Sequence, residues 1–243
     1  MSDYPSEEIP STTGGGRLGR IVDHGPHFQS RTVSASQVPA APTQPVFWTR
    51  HCPPYDQGNL GSCTGNATAG ALMTEPLYQP SWNLTEDDAV KIYSQASKFN
   101  PDGQSYPPTD AGSSGSCVVQ ALEQDGLVVS SVHATDLDTA LGLLSVGPVI
   151  FGIPWMSSFD TPLPTGECAL TPDAIVRGGH EIQAYGVDPV KQQVWFYQSW
   201  GPTWGGLGNG TFWLSFDTLR QLFTQQTDAT SFTLANPIPA LDF

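Results

Sequence analysis

Basic residues are scarce in this chain: nine Lys and Arg stand against 23 Asp and Glu in 243 residues, a formal net charge of −14. So few bases cannot line a groove that tracks phosphates, which excludes nucleic acid as the expected partner and disfavours an anionic membrane surface. No apolar run approaches the roughly eighteen residues of a membrane-spanning helix. The opening stretch, MSDYPSEEIPSTTGGG, has neither the basic nor the apolar region of a secretory signal, so a cytoplasmic or virion-associated protein is expected. Cysteine is sparse as well. Cys52, Cys63, Cys117 and Cys168 fit no zinc-ribbon spacing, and reduced thiols are the default without a secretory signal.

What is present is material for a core. Hydrophobic residues make up 38% of the chain, with seven Trp and eleven Phe, and only 13% is charged, which argues against overall disorder. The 25 Gly and 22 Pro predict many turns and short elements. Residues 1–45 read as an extended arm, flexible where Ser, Thr and Gly cluster and stiff at 38–45 (VPAAPTQP). Core-like sequence begins at residue 46. Helices are expected from Ser62 or Cys63 up to Pro76, over about 85–98 with Thr85 as cap, over about 114–124, and after Asp136. Strands follow at 148–153 (PVIFGI), 181–187, 194–199 and 211–215. Helices first and an antiparallel sheet second predict an α+β fold with a helical lobe at about 60–127 and a β lobe at about 128–235.

Three stretches carry chemistry. In Gln57-Gly-Asn-Leu-Gly-Ser-Cys63 a cysteine sits where a loop becomes a helix. Unpaired N–H groups and partial positive charge at a helix start favour a thiolate and lower a cysteine pKa to about 3.5–7.5; a lone cysteine there is nonetheless more often structural. In Gly178-Gly179-His180-Glu181 a histidine follows a glycine pair at the mouth of a strand, where a substrate backbone can come close. His24, His27, His51 and His133 have no such setting. In Tyr197-Gln198-Ser199-Trp200-Gly201-Pro202-Thr203-Trp204-Gly205 an amide ends an aromatic strand. A Cys-His pair needs a third group to orient the ring, and an amide oxygen can accept from the imidazole N–H.

In this order the three stretches resemble the papain family of cysteine peptidases, over about residues 46–223. Gln57 to Cys63 is similar to its Q-G-x-x-G-S-C motif, Gly179 to Gly186 to its G-H segment, and Gln198 to Gly205 to its N-S-W-G-x-x-W-G segment. Asp110-Ala-Gly-Ser-Ser114 resembles a step before a helix in short bacterial and viral members. The resemblance implies a papain-like two-lobe fold with the cleft between the lobes. It also implies that Cys63 is the nucleophile and His180 its base, and that Gln198 orients His180. Gln57 and the Cys63 N–H would hold the oxyanion, Gly178 and Gly179 would meet substrate, and Trp200 would shield the His180–Gln198 contact. It implies a thiolate–imidazolium pair, a polypeptide substrate and no metal or organic cofactor.

The sequence departs from the family at Leu60, Thr64 and, above all, Gln198, which stands where the family has Asn. Gln is one methylene longer, so its amide must fold back or the backbone must shift. The interval from residue 63 to residue 180 is also shorter than the roughly 130–150 residues of papain-like enzymes, which predicts trimmed loops. Two other readings stay open: a weak or inactive papain-fold part of a larger assembly such as a virus particle, and a cell-wall amidase or endopeptidase acting on peptidoglycan peptide. The arm, too short for the family's usual helical propeptide, is expected to lie along a lobe or to cover the cleft. The Asn-x-Thr triplets at Asn66, Asn83 and Asn209 are read as chance.

Overall fold

The computed structural model describes residues 18–239. The helical lobe is built from α2 (Cys63–Leu72), α3 (Glu86–Ser97) and α4 (Gly115–Gln124). Their starts follow capping chemistry. Thr85 and Asp88 form a capping box on α3, and the Ser114 hydroxyl accepts from the Cys117 N–H on α4. Such caps satisfy donors that a helix leaves orphaned, each contributing about 1 kcal/mol. The apolar face of α3 (Ala89, Ile92, Tyr93, Ala96) is fully buried, and Ala89, Ile92 and Ala96 share a core with Leu72, Val118 and Leu122. Helix α2 is buried along its whole length. Gly65 allows this, since a Cβ there would fall 2.1 Å from the Ala89 carbonyl oxygen.

The second lobe holds an antiparallel sheet of β1 (Val46–Phe47), β2 (Val128–Ala134), β3 (Val149–Met156), β4 (Val176–Asp188), β5 (Gln193–Tyr197), β6 (Thr211–Ser215) and β7 (Asp228–Leu234). The strand order is β2-β7-β3-β4-β5-β6, with β1 paired to β4. Helices α5 (Leu137–Leu144) and α6 (Phe216–Phe223) pack on it around Phe151, Trp155, Phe196 and Phe212. On β6 Phe212 and Leu214 are buried and Trp213 and Ser215 half-buried, while Thr211 at the start of the strand is buried too. Strand β3 runs three residues past its expected end and takes in Pro154. Strand β7 pairs with it only at Ile150, Phe151 and Gly152, so beyond Gly152 one side of β3 is an edge, where proline is tolerated.

Residues 18–45 are not uniformly extended, and the rest of the expected arm, residues 1–17, lies outside the described residues. Pro26–Arg31 form a short helix, α1, with proline in its first turn, and Ala35–Gln37 a single 3-10 turn. Among the described residues no helix is long and apolar enough to cross a membrane, and all four cysteines are free thiols.

Candidate active site

Helix α2 and strand β4 meet at the seam between the lobes. Cys63 is the first residue of α2, and His180 lies on β4 opposite Ile153 of β3; both are fully buried. The turn before Cys63 is fixed from the helical lobe. The Gly61 N–H donates to the Asp110 carboxylate (3.1 and 3.2 Å), and the Tyr93 hydroxyl donates to the same group (2.6 Å). Ser62 donates to Asn66, whose amide donates to Glu86 of α3 (2.7 and 2.8 Å).

The imidazole is oriented by Gln198. The two side chains meet at 2.6 Å between His180 Nε2 and Gln198 Oε1. The same oxygen accepts from the Ser199 backbone N–H (2.8 Å). A backbone N–H can only donate, so this atom of the amide must be its oxygen, and His180 Nε2 must then carry the proton. In neutral imidazole that leaves Nδ1 as the bare acceptor. Nδ1 is buried and makes no hydrogen bond. The extra methylene of Gln198 is therefore accommodated by folding the amide back over its own next peptide group. Trp200 and Trp155 enclose the ring, with centroids 5.1 and 5.2 Å from that of His180.

Ser199 is a site residue that sequence reading passed over. Besides its N–H bond to Gln198, its hydroxyl donates to Gln57 Oε1 and its carbonyl accepts from the Gln57 N–H (2.9 Å). It thus ties both side-chain amides to one peptide unit, while Gln57 Nε2 donates to the Leu60 carbonyl (2.8 Å). The only signal was its place inside the motif that drew attention to Gln198 and Trp200. Gly178 pairs with Trp155 on β3, beside Gly179.

The cleft is filled by the chain itself. Leu18 to Ile21 thread between the lobes. The Arg20 N–H donates to the Gly179 carbonyl (3.0 Å), the Ile21 N–H to Ser113 O (2.8 Å), and the Ser113 N–H to Gly19 O (2.9 Å). Close passage depends on missing side chains. A Cβ at Gly179 would fall 2.3 Å from Arg20 O, and one at Gly19 would fall 2.1 Å from Gly61 O. The backbone N–H groups of Glu181, Gly19 and Thr64 lie close enough to the Cys63 sulfur to favour its thiolate. The Gly19 carbonyl accepts from the Ser113 N–H.

Burial decides the protonation of this pair. It pushes the Cys63 thiol up to about 12, helped by the Glu181 charge and opposed by the three N–H groups. It pulls His180 down to about 4, with the Gln198 bond opposing. The helix-start effect expected to favour a thiolate is outweighed here, because solvent is excluded from both groups. With the arm in place burial favours a neutral thiol at Cys63 and a neutral imidazole at His180, and His180 Nδ1 makes no hydrogen bond to the thiol.

The Arg20 side chain continues past the sulfur into a closed pocket. Its Nη2 donates to Asp228 and to the Gln226 carbonyl (2.8 Å), and its Nε lies 3.5 Å from Glu181 Oε2. Burial works against the guanidinium charge, but Asp228 and Glu181 more than compensate. Burial and the neighbouring Asp228 raise the Glu181 carboxyl, against the pull of Arg20. For Asp228, Arg20 and His24 outweigh burial and lower it.

No sequence-family model matches the chain, and no curated protein matches it in sequence. Its fold matches solved structures. Xylellain, a cysteine protease from Xylella fastidiosa, aligns over 95% of this chain and 100% of its own, with a TM-score of 0.60 and 19% identity. The Carica candamarcensis cysteine protease CMS1MS2, solved with E-64, aligns over 79% of this chain and 99% of its own, with a TM-score of 0.56 and 13% identity. A structure from work on the mite allergens Blo t 1 and Der p 1 aligns over 86% of this chain and 77% of its own, at 0.53 and 17%. The fold is therefore the papain-like two-lobe α+β arrangement.

Proposed function

We propose that the chain is a cysteine peptidase held in a dormant form by its own N-terminal arm. The observation that carries this reading is the His180–Gln198 bond, which leaves Nδ1 as a bare, buried acceptor on the residue beside Glu181, whose own N–H touches the Cys63 sulfur. A histidine built only for packing would have no reason to keep one ring nitrogen unpaired at a cost of about 1–3 kcal/mol.

In this reading residues 1–45 are the regulatory arm and 46–243 the peptidase domain. When the segment at Gly19 and Arg20 leaves, water and substrate enter, burial weakens, and the helix-start N–H groups can favour the thiolate. Nδ1 of His180 takes the thiol proton, and the sulfur attacks the acyl carbon of a polypeptide. The Cys63 N–H and the Gln57 amide hold the oxyanion, a contribution of about 2.7–4 kcal/mol per donor in comparable sites. Collapse breaks the C–N bond, with the Nδ1 proton going to the leaving amine. His180 then activates water to hydrolyse the thioester. Gln198 keeps the ring in the required tautomer throughout.

The arm seated on the sulfur also favours a second reading, an inactive scaffold that never opens. An epoxide that alkylates activated thiols separates the two. Cys63 should gain the mass of the reagent once Arg20→Ala loosens the arm, and Cys63→Ser should gain none. A folded Arg20→Ala chain that stays unlabelled at Cys63 leaves the scaffold reading. Assays on a denatured protein and on peptidoglycan, run side by side, distinguish a general peptidase from a cell-wall amidase or endopeptidase.

A further inference from the structure

We infer that the pocket now filled by Arg20 selects substrates carrying an arginine side chain, with Glu181 and Asp228 as its specificity-determining residues. This rests on the peptidase reading for its purpose but not for its chemistry. The pocket opens one residue away from the contact between Gly19 and the Cys63 sulfur, so its occupant in a substrate lies within a residue or two of the bond to be cut. The Asp228 carboxylate, at the start of β7, and the Glu181 carboxyl, on β4, face it, and both residues are buried. The Gln226 carbonyl adds a third acceptor.

Its shape is as specific as its charge. Gly152 on β3 forms one wall, and a Cβ there would fall 2.1 Å from Arg20 Nε. Gly115 at the start of α4 makes room for Glu181 itself, since a Cβ there would fall 2.9 Å from Glu181 Oε1. The space for a long flat side chain thus depends on the missing side chain of Gly152. One nitrogen of Arg20, Nη2, reaches both Asp228 and the Gln226 carbonyl, while Nε approaches Glu181 at 3.5 Å without a hydrogen bond; a lysine ammonium could meet the first two acceptors but, being a single point, not Glu181 as well. A leucine or glutamate there would remove the guanidinium from buried Asp228 and leave it only the part-exposed His24, at 3.0 Å.

Arg20 is therefore a self-supplied ligand that marks what the pocket accepts. The preference is expected to be on the order of 30-fold for arginine over leucine, from the loss incurred when one partner of a buried charge pair is truncated.

The test uses the full chain with Cys63→Ser, so that binding is read without turnover, in two arm-opening backgrounds. Arg20→Ala empties the pocket. Gly19→Val ejects the segment by its clash with Gly61, and serves if the first variant does not fold. Blocked tripeptide amides differing only in arginine, lysine, leucine or glutamate are titrated by calorimetry. The expected result is tightest binding by the arginyl peptide, lysine next, with the preference over leucine lost in Asp228→Asn and reduced in Glu181→Gln. Leucyl binding equal to or tighter than arginyl, or no peptide binding by a folded variant, overturns the inference. The peptidase reading fails separately: arginine preference with no hydrolysis by the Cys63-bearing chain removes the enzyme and keeps the pocket, and hydrolysis with leucine preference does the reverse.

Discussion

The two ends of the occluded cleft meet burial in opposite ways. At one end Arg20 and Asp228 are shut away from water and charge survives, because a cation and an anion arrive together in close contact, while burial and Asp228 raise the neighbouring Glu181 carboxyl to about 8. At the other end Cys63 and His180 are equally buried, and burial drives both to their neutral forms. The same segment causes both outcomes, since Gly19 seals the thiol while Arg20 supplies the countercharge. The lesson is that a helix start does not by itself make a reactive cysteine. Desolvation outweighs three N–H donors when no solvent or ionised imidazole is present to share the charge. In the proposed reading the charged end anchors the arm, and the arm keeps the neutral end dormant.

The largest expected break in this contrast is Arg20→Ala. It removes the cation from a buried cluster, and by the cost of leaving such a charge unpaired the arm should detach, raising neutral-pH alkylation of Cys63 by on the order of 100-fold or more. Mass mapping of each cysteine after a timed pulse checks this. In the opened variant, His180→Ala should then lower peptide turnover by about 10²–10⁴-fold, as expected for a lost general base. Asp228→Asn in the otherwise unmodified chain loosens the anchor without touching the thiol, so partial opening is expected, with labelling between the closed and Arg20→Ala rates. Gln198→Ala should cost about tenfold in turnover, the worth of one hydrogen bond to a group that becomes charged, and Gln198→Asn less. Smallest is Ser199→Ala, which keeps the backbone bonds and loses only the hydroxyl bond to Gln57; a few-fold fall in turnover with unchanged thiol labelling is expected.

How far the sequence could show this depends on the range of each interaction. The caps at Thr85, Ser114 and Asp136 are local, and the helices begin where those residues say. Cys63, Gln57, His180 and Gln198 stood out because each lies in a short, chemically unusual stretch, and the structure gathers them at one seam. Strands β2 and β7 were not anticipated. In β2 a bulge between Val128 and Ser130 breaks the alternation, and β7 carries more polar than apolar residues although it lies between β2 and β3. Helix α6 was missed because Ser215 ends β6 and also caps the helix, so no turn residues separate the two. The Arg20 pocket could not be read at all, since its partner Asp228 is 208 positions away. Nothing in the local pattern of either residue announces the other.

The most direct test of the dormant pair is the pH dependence of Cys63 alkylation, compared between the unmodified chain and Arg20→Ala. A thiol raised to about 12 stays protonated below that value, and only the thiolate reacts. The unmodified chain should therefore be inert at pH 7, its rate climbing only as the pH rises toward that range, whereas the opened variant should already react at pH 7. Equal, fast labelling of Cys63 at pH 7 in both chains would contradict the account.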